Sequence, residues 1–72
     1  MSNERLNLAC DIHYSLTENQ RIKMIKIIHQ YGMGITYAYE MVNIDQFKKI
    51  TKNNDIINKL YKLKRMTIRL VS

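Results

Sequence analysis

Apolar residues recur at spacings of three and four along much of the chain, with polar residues between them. The pattern is plainest from Glu18 to Tyr31. Ile22, Ile25 and Ile28 form one stripe and Met24, Ile27 and Tyr31 another, while Lys23, Lys26 and Gln30 make the polar face. A period near 3.6 predicts an α-helix. Apolar residues spread this widely around it predict a helix packed between two others. Thr17 stands three residues before Gln20, and Ser15 three before Glu18. Either pair can form a capping box, which satisfies two orphan backbone donors reciprocally. Gly32 follows where a left-handed C-terminal cap is wanted.

The same reading predicts a first helix from Asn3 to His13, with Leu6, Cys10 and His13 in phase, Ala9 and Ile12 beside them, and Ser2 or Asn3 as cap. Residues 35–42 fit a short helix through Ile35, Ala38 and Met41 or Val42, capped by Gly34 or Thr36. Their Ile, Thr and Tyr content also suits a strand, and helix is preferred because no partner strand lies nearby. Asn43 is a stop, and Asp45 can cap a fourth helix from Gln46, with Phe47 and Ile50 inward and Lys48, Lys49 and Lys52 outward. Asn53, Asn54 and Asp55 either interrupt that helix or cap another, in which Ile56, Ile57, Leu60 and Leu63 make a clear stripe. Met66 to Val71 can continue it or extend as a strand.

Composition narrows this further. The chain has 72 residues, no proline and glycine only at 32 and 34, so few breaks are obligatory. A domain this small buries only about 60% of its unfolded surface. Cys10 is the sole cysteine, so no disulfide can supplement the core. Eleven Ile, six Leu and five Met supply the packing material. The expectation is one all-α domain of four or five short helices over residues 1–72, with the second helix at its centre. The expected core is Leu6, Ile22, Ile25, Ile28, Ala38, Phe47, Ile50, Ile57 and Leu60. The N-terminus lacks the basic start and apolar run of a secretory signal, no stretch approaches a membrane span, and a lone thiol fits a reducing compartment. A cytoplasmic location is expected.

Charge changes the picture more. Residues 1–20 carry Glu4, Asp11 and Glu18 against Arg5, a net of −2. Residues 46–72 carry Lys48, Lys49, Lys52, Lys59, Lys62, Lys64, Arg65 and Arg69 against Asp55, a net of +7. A basic third of this kind attracts an anionic partner. Lysines opposite an apolar stripe are ordinarily a solvated face that also shields apolar surface with its stems. Eight cations against one carboxylate exceed that mixture.

Candidate chemistry is sparse. Cys10, Asp11, His13 and His29 are the metal-like residues, and nothing completes a four-ligand set. A half-formed nucleophile–base pair can be drawn from Cys10 or Ser15 with His13, without an orienting group. Gly32-Met33-Gly34 lacks the preceding strand and third glycine of a phosphate loop. No enzyme activity, metal, cofactor or small-molecule substrate is expected. Tyr31, Tyr37 and Tyr39 surround the glycine turn, and Tyr61 sits among the C-terminal cations. Such tyrosines either rim a small core or stack on bases and anchor interfaces.

In helix order, Leu16 to Ile50 resembles the small helix-turn-helix of recombinases and phage repressors. Residues 18–31 would be the scaffold, 35–42 the support and 46–52 the recognition helix, with Asp45, Gln46, Lys48 and Lys49 towards the major groove. The fine register departs from that type. Val42 stands where glycine is usual, and Lys48 and Lys49 fall where an apolar residue is usually buried. The first expectation is a small regulatory nucleic-acid-binding protein of phage or plasmid type, for DNA before RNA. Lys48, Lys49, Lys52, Lys59, Lys62, Lys64, Arg65 and Arg69 would meet phosphates and Gln46 or Tyr61 would touch bases; a palindromic DNA target would call for a homodimer, for which Met66 to Val71 is the candidate segment. The second is a protein-binding modulator with an acidic partner, an inhibitor or adaptor anchored by Tyr37 or Tyr39. A membrane-surface role for Asp55 to Val71 is the weakest of the three.

Overall fold

Three polar caps and one glycine cut the chain into helices. In the computed structural model, residues 3–32 and 34–71 are described, with side chains through residue 67. They form five helices and no strand: α1 (Glu4–Ser15), α2 (Glu18–Tyr31), α3 (Ile35–Met41), α4 (Ile44–Ile50) and α5 (Asn54–Val71). Thr17 and Gln20 form the capping box of α2, leaving Ser15 to close α1 by donating to the Asp11 carbonyl at 2.7 Å. Gly32 ends α2 at φ 67°, a left-handed conformation that glycine adopts without a Cβ penalty. Asn43 caps α4, its Oδ1 accepting from the N–H groups of Asp45 and Gln46. Asn53 does the same for Asp55 and Ile56 at the start of α5.

Two boundaries differ from the sequence reading, and one open alternative is decided. α1 runs two residues past His13 to Ser15. α4 begins at Ile44 under Asn43, rather than at Gln46 under Asp45, because the Asn43 amide reaches both free donors of that turn. Met66 to Val71 continues α5 as helix.

The core is built around α1, α3 and α5, which pack on one another, while α2 and α4 join through α3 and each other. α2 is not the centre. Its buried line is Met24 and Ile27, with Ile28 partly covered, whereas Ile22 and Ile25 stay 46% and 41% exposed. The two stripes are equally apolar, and Arg21 sits on the buried stripe's side of the helix, donating to the Leu16 carbonyl at 2.9 Å. Leu6 is likewise 45% exposed, because α1 turns Ala9, Ile12 and His13 inward. Ile50 is half-buried, and Ala38, Phe47, Ile57 and Leu60 are buried as expected. Leu16, Tyr39, Val42, Ile56 and Leu63 complete the core.

Two polar contacts hold these helices in register. Glu40, on α3, has a side chain only 3% exposed. Arg5 of α1 grips its carboxylate through two hydrogen bonds, Nε to Oε2 at 2.8 Å and Nη2 to Oε1 at 2.7 Å. Thr67 of α5 donates its hydroxyl to the same carboxylate. Lys64 donates to the Glu40 carbonyl at 2.7 Å, satisfying an acceptor that the end of a seven-residue helix leaves open. Burial pushes the Glu40 carboxyl upward. The hydrogen bonds from Arg5 and Thr67 and the charges of Arg5 and Lys64 outweigh this, and hold it below the usual carboxylate range.

The second contact joins Nδ1 of His13 to the Tyr39 hydroxyl at 2.7 Å. The Tyr39 ring meets His13 and Phe47 edge-on, at centroid distances of 5.8 and 6.3 Å. α1, α3 and α4 thus share one aromatic line. Tyr39 is fully buried, so it cannot anchor an external partner as the sequence allowed. Burial raises its phenol far above the ordinary range, only weakly opposed by the charge of Arg21, which keeps the hydroxyl protonated. Burial, with the nearby charge of Arg21, lowers the His13 pKa.

Replacing Tyr39 by Phe leaves Nδ1 of His13 without its partner. Urea unfolding of Tyr39→Phe is expected to show a loss of about 1–3 kcal/mol. Acid stability has two stages. Since folding lowers the His13 pKa from 6.5, its contribution is complete above pH 6.5 and declines as pH falls through that value towards the folded pKa. An NMR titration should place the His13 ring below 6.5. Glu40 acts in a lower window. The advantage of the natural protein over Glu40→Gln, about 2 kcal/mol at neutral pH, is full above pH 4.5 and is lost as pH falls through the lower folded value. An equal gap at pH 7 and pH 3 would refute that assignment.

Candidate nucleic-acid interface

α4 and the first half of α5 meet across the linker Thr51–Asn53. The linker is fixed from within. Thr51 is buried, its Oγ1 accepts from the Asn53 N–H at 3.2 Å, and Asn53 caps α5. Beside it opens a cleft of about 420 Å³. Lys48, Thr51 and Lys52 line one side, and Asn54, Ile57, Asn58 and Tyr61 the other. No carboxylate is among these lining residues. The Lys48 ammonium lies over the Tyr61 ring, 5.8 Å from its centroid, within reach of a cation–π attraction.

The structure brings together Lys48, Lys52 and Tyr61, three of the residues singled out in the sequence. Gln46 and Lys49 are exposed on α4, and Lys62 and Arg65 on the outer face of α5. Two other cations turn to different partners. Lys59 pairs with Asp11 of α1 at 2.9 Å. Lys64 is spent on the Glu40 carbonyl, and burial lowers its pKa against the opposing charge of Glu40. Arg69 lies on the last turns of α5, with its side chain outside the described ones. Of the eight cations in residues 46–72, five are therefore exposed among the described side chains: Lys48, Lys49, Lys52, Lys62 and Arg65.

Asn54 and Asn58 line the cleft but were not expected there. Their four-residue spacing was a legible signal, since it places both amides on one helix face once α5 begins at Asn54.

The helix order of the recognition motif is present, with α2, α3 and α4 in succession and only Val42 and Asn43 between α3 and α4. With this tight turn, Phe47 and Ile50 take the inward positions and Lys48 and Lys49 stay exposed. Val42, buried, still stands where that motif usually has glycine, and Lys48 and Lys49 are exposed where it usually buries an apolar residue.

The groups that suggested metal or nucleophile chemistry do not converge. His13 is buried on Tyr39, Cys10 is half-buried and His29 is exposed. His13 is thus the buried member of the set. Among the described residues, no three His, Cys, Asp or Glu side chains are placed to hold a metal ion. No described helix is long and apolar enough to cross a membrane. Comparison of the chain with protein-family models, curated protein sequences and solved structures finds no match.

Proposed function

We propose that this is a small regulatory protein that binds nucleic acid through the face formed by α4 and α5. The observation that carries the reading is the cleft itself. Two lysines and an aromatic ring line it without a carboxylate, and Lys49, Lys62 and Arg65 stay exposed on the same two helices. Cations in such an array meet phosphates, which supply affinity and position, while a few side chains reach bases. Gln46, exposed on the first turn of α4, and Tyr61 are suited to the second task. DNA is the first polymer to test, given the helix-turn-helix order of α2, α3 and α4.

A second reading has its own support. Ile22 and Ile25 of α2 and Tyr37 and Met41 of α3 are all exposed. A protein-binding modulator would use these apolar side chains and let the cations steer it towards an acidic partner. The membrane-surface reading of α5 loses its basis, because Ile56, Ile57, Leu60 and Leu63 face the core.

Fluorescence anisotropy of labelled DNA at roughly 50 and 200 mM salt tests the proposal. If the five exposed cations each meet one phosphate of a duplex, log K should fall with log salt at a slope of about −4.5. The double variant Lys48→Ala/Lys52→Ala should flatten that slope by about 2. Lys23→Ala and Lys26→Ala, on α2, should leave it unchanged. Absence of binding at 50 mM would leave the protein-binding reading in its place.

A further inference from the structure

The nucleic-acid reading leaves open which form of nucleic acid is held, and the inference below rests on that reading. Two clefts of comparable size can be compared among the described residues. One, between α1 and α5, mixes Glu4 and Asp11 with Lys62 around Leu8 and Met66. The other, between α4 and α5, has Lys48 and Lys52 with no opposing acid. Its volume, about 420 Å³, lies within the roughly 300–1,000 Å³ range of clefts that hold small organic groups.

The chemistry of its far side is that of a base site. Asn54 and Asn58 each bring a donor and an acceptor on one amide, the pairing needed to read the edge of a nucleobase. Tyr61 adds a ring three residues beyond Asn58, and Ile57, nearly buried, gives the floor an apolar patch. A base inside a duplex can offer neither its face nor its pairing edge to such a recess. An unpaired base offers both. The Lys48 ammonium stands over the Tyr61 ring, 5.8 Å from its centroid, so a cation is already held beside that ring.

We infer that the α4–α5 cleft binds one unpaired nucleotide of a single strand, with its base against Tyr61 and the amides of Asn54 and Asn58, and its phosphate between Lys48 and Lys52. Lys49 and Arg65, exposed on α4 and α5, then follow the flanking phosphates. Stacking on Tyr61 needs the ring and not the hydroxyl, so Tyr61→Phe should behave as the natural protein. Tyr61→Leu should not.

The test is anisotropy at ~50 mM salt with three labelled probes, a mixed-sequence 12-nucleotide DNA strand, the same sequence as RNA, and the DNA duplex, with thermal melts showing that each variant is folded. The expected result is at least tenfold tighter binding of single strands than of duplex. Tyr61→Leu should weaken single-strand binding about tenfold, the scale of one lost base–aromatic stack, and leave any duplex binding unchanged. Asn58→Ala should weaken it less, and unequally among homopolymers. The DNA and RNA arms distinguish the two sources of the strand. Equal binding of strand and duplex, unaffected by Tyr61→Leu, would overturn the cleft as a base site while leaving the nucleic-acid reading intact. Failure to bind any of the three probes would overturn both.

Discussion

The arrangement of this chain depends on one buried carboxylate. Glu40 lies on a helix of seven residues, too short to persist alone. Its side chain, taken out of water, would be strongly unfavourable if left unpaired. Arg5 of α1 and Thr67 of α5 bond to it, and Lys64 of α5 bonds to the backbone carbonyl of the same residue, so the carboxylate is satisfied only when α1 and α5 both pack on α3. Such a cluster need not add net stability over an apolar core of the same shape. What it does here is select which faces meet. Among the described residues, no buried side-chain nitrogen or oxygen lacks a partner.

The line of His13, Tyr39 and Phe47 extends the same control to α4. Tyr39 and Glu40 are adjacent on α3, yet one looks towards His13 of α1 and Phe47 of α4, and the other towards Arg5 of α1 and Thr67 of α5. Two neighbouring residues thereby place four helices. The rim of the core is consequently more polar than the aliphatic composition suggests. Both contacts depend on protonation state, which couples the fold to pH at the two ends of the acidic range.

The placement of α4 against α5 follows from this packing and from the three-residue linker between them, and that placement makes the basic cleft. The lysine-rich third thus serves two purposes. Lys59 and Lys64 bind α5 to the rest of the domain through Asp11 and Glu40. Lys48, Lys49, Lys52, Lys62 and Arg65 remain exposed and give the surface its charge. A uniform reading of all eight cations as phosphate ligands overlooks that division, which no local pattern encodes.

Much was decided by short-range chemistry and was therefore visible in the sequence. The all-helical class, the capping box at Thr17, the glycine stop at Gly32 and the stripe of α5 each depend on residues within a turn or two of one another. The bounds of α2 were legible for that reason. What escaped was every choice between equivalent faces. Ile22 and Ile25 are as apolar as Met24 and Ile27, and only contact with α3 and α4 determines which pair is covered. Glu40, Arg5 and Thr67 are separated by 35 and 27 residues along the chain, and Asn54 and Lys48 belong to different helices. Periodicity shows that a face exists. Which face is buried, which cations are consumed and which side chains line the cleft depend on long-range packing, and the tertiary structure alone decided them.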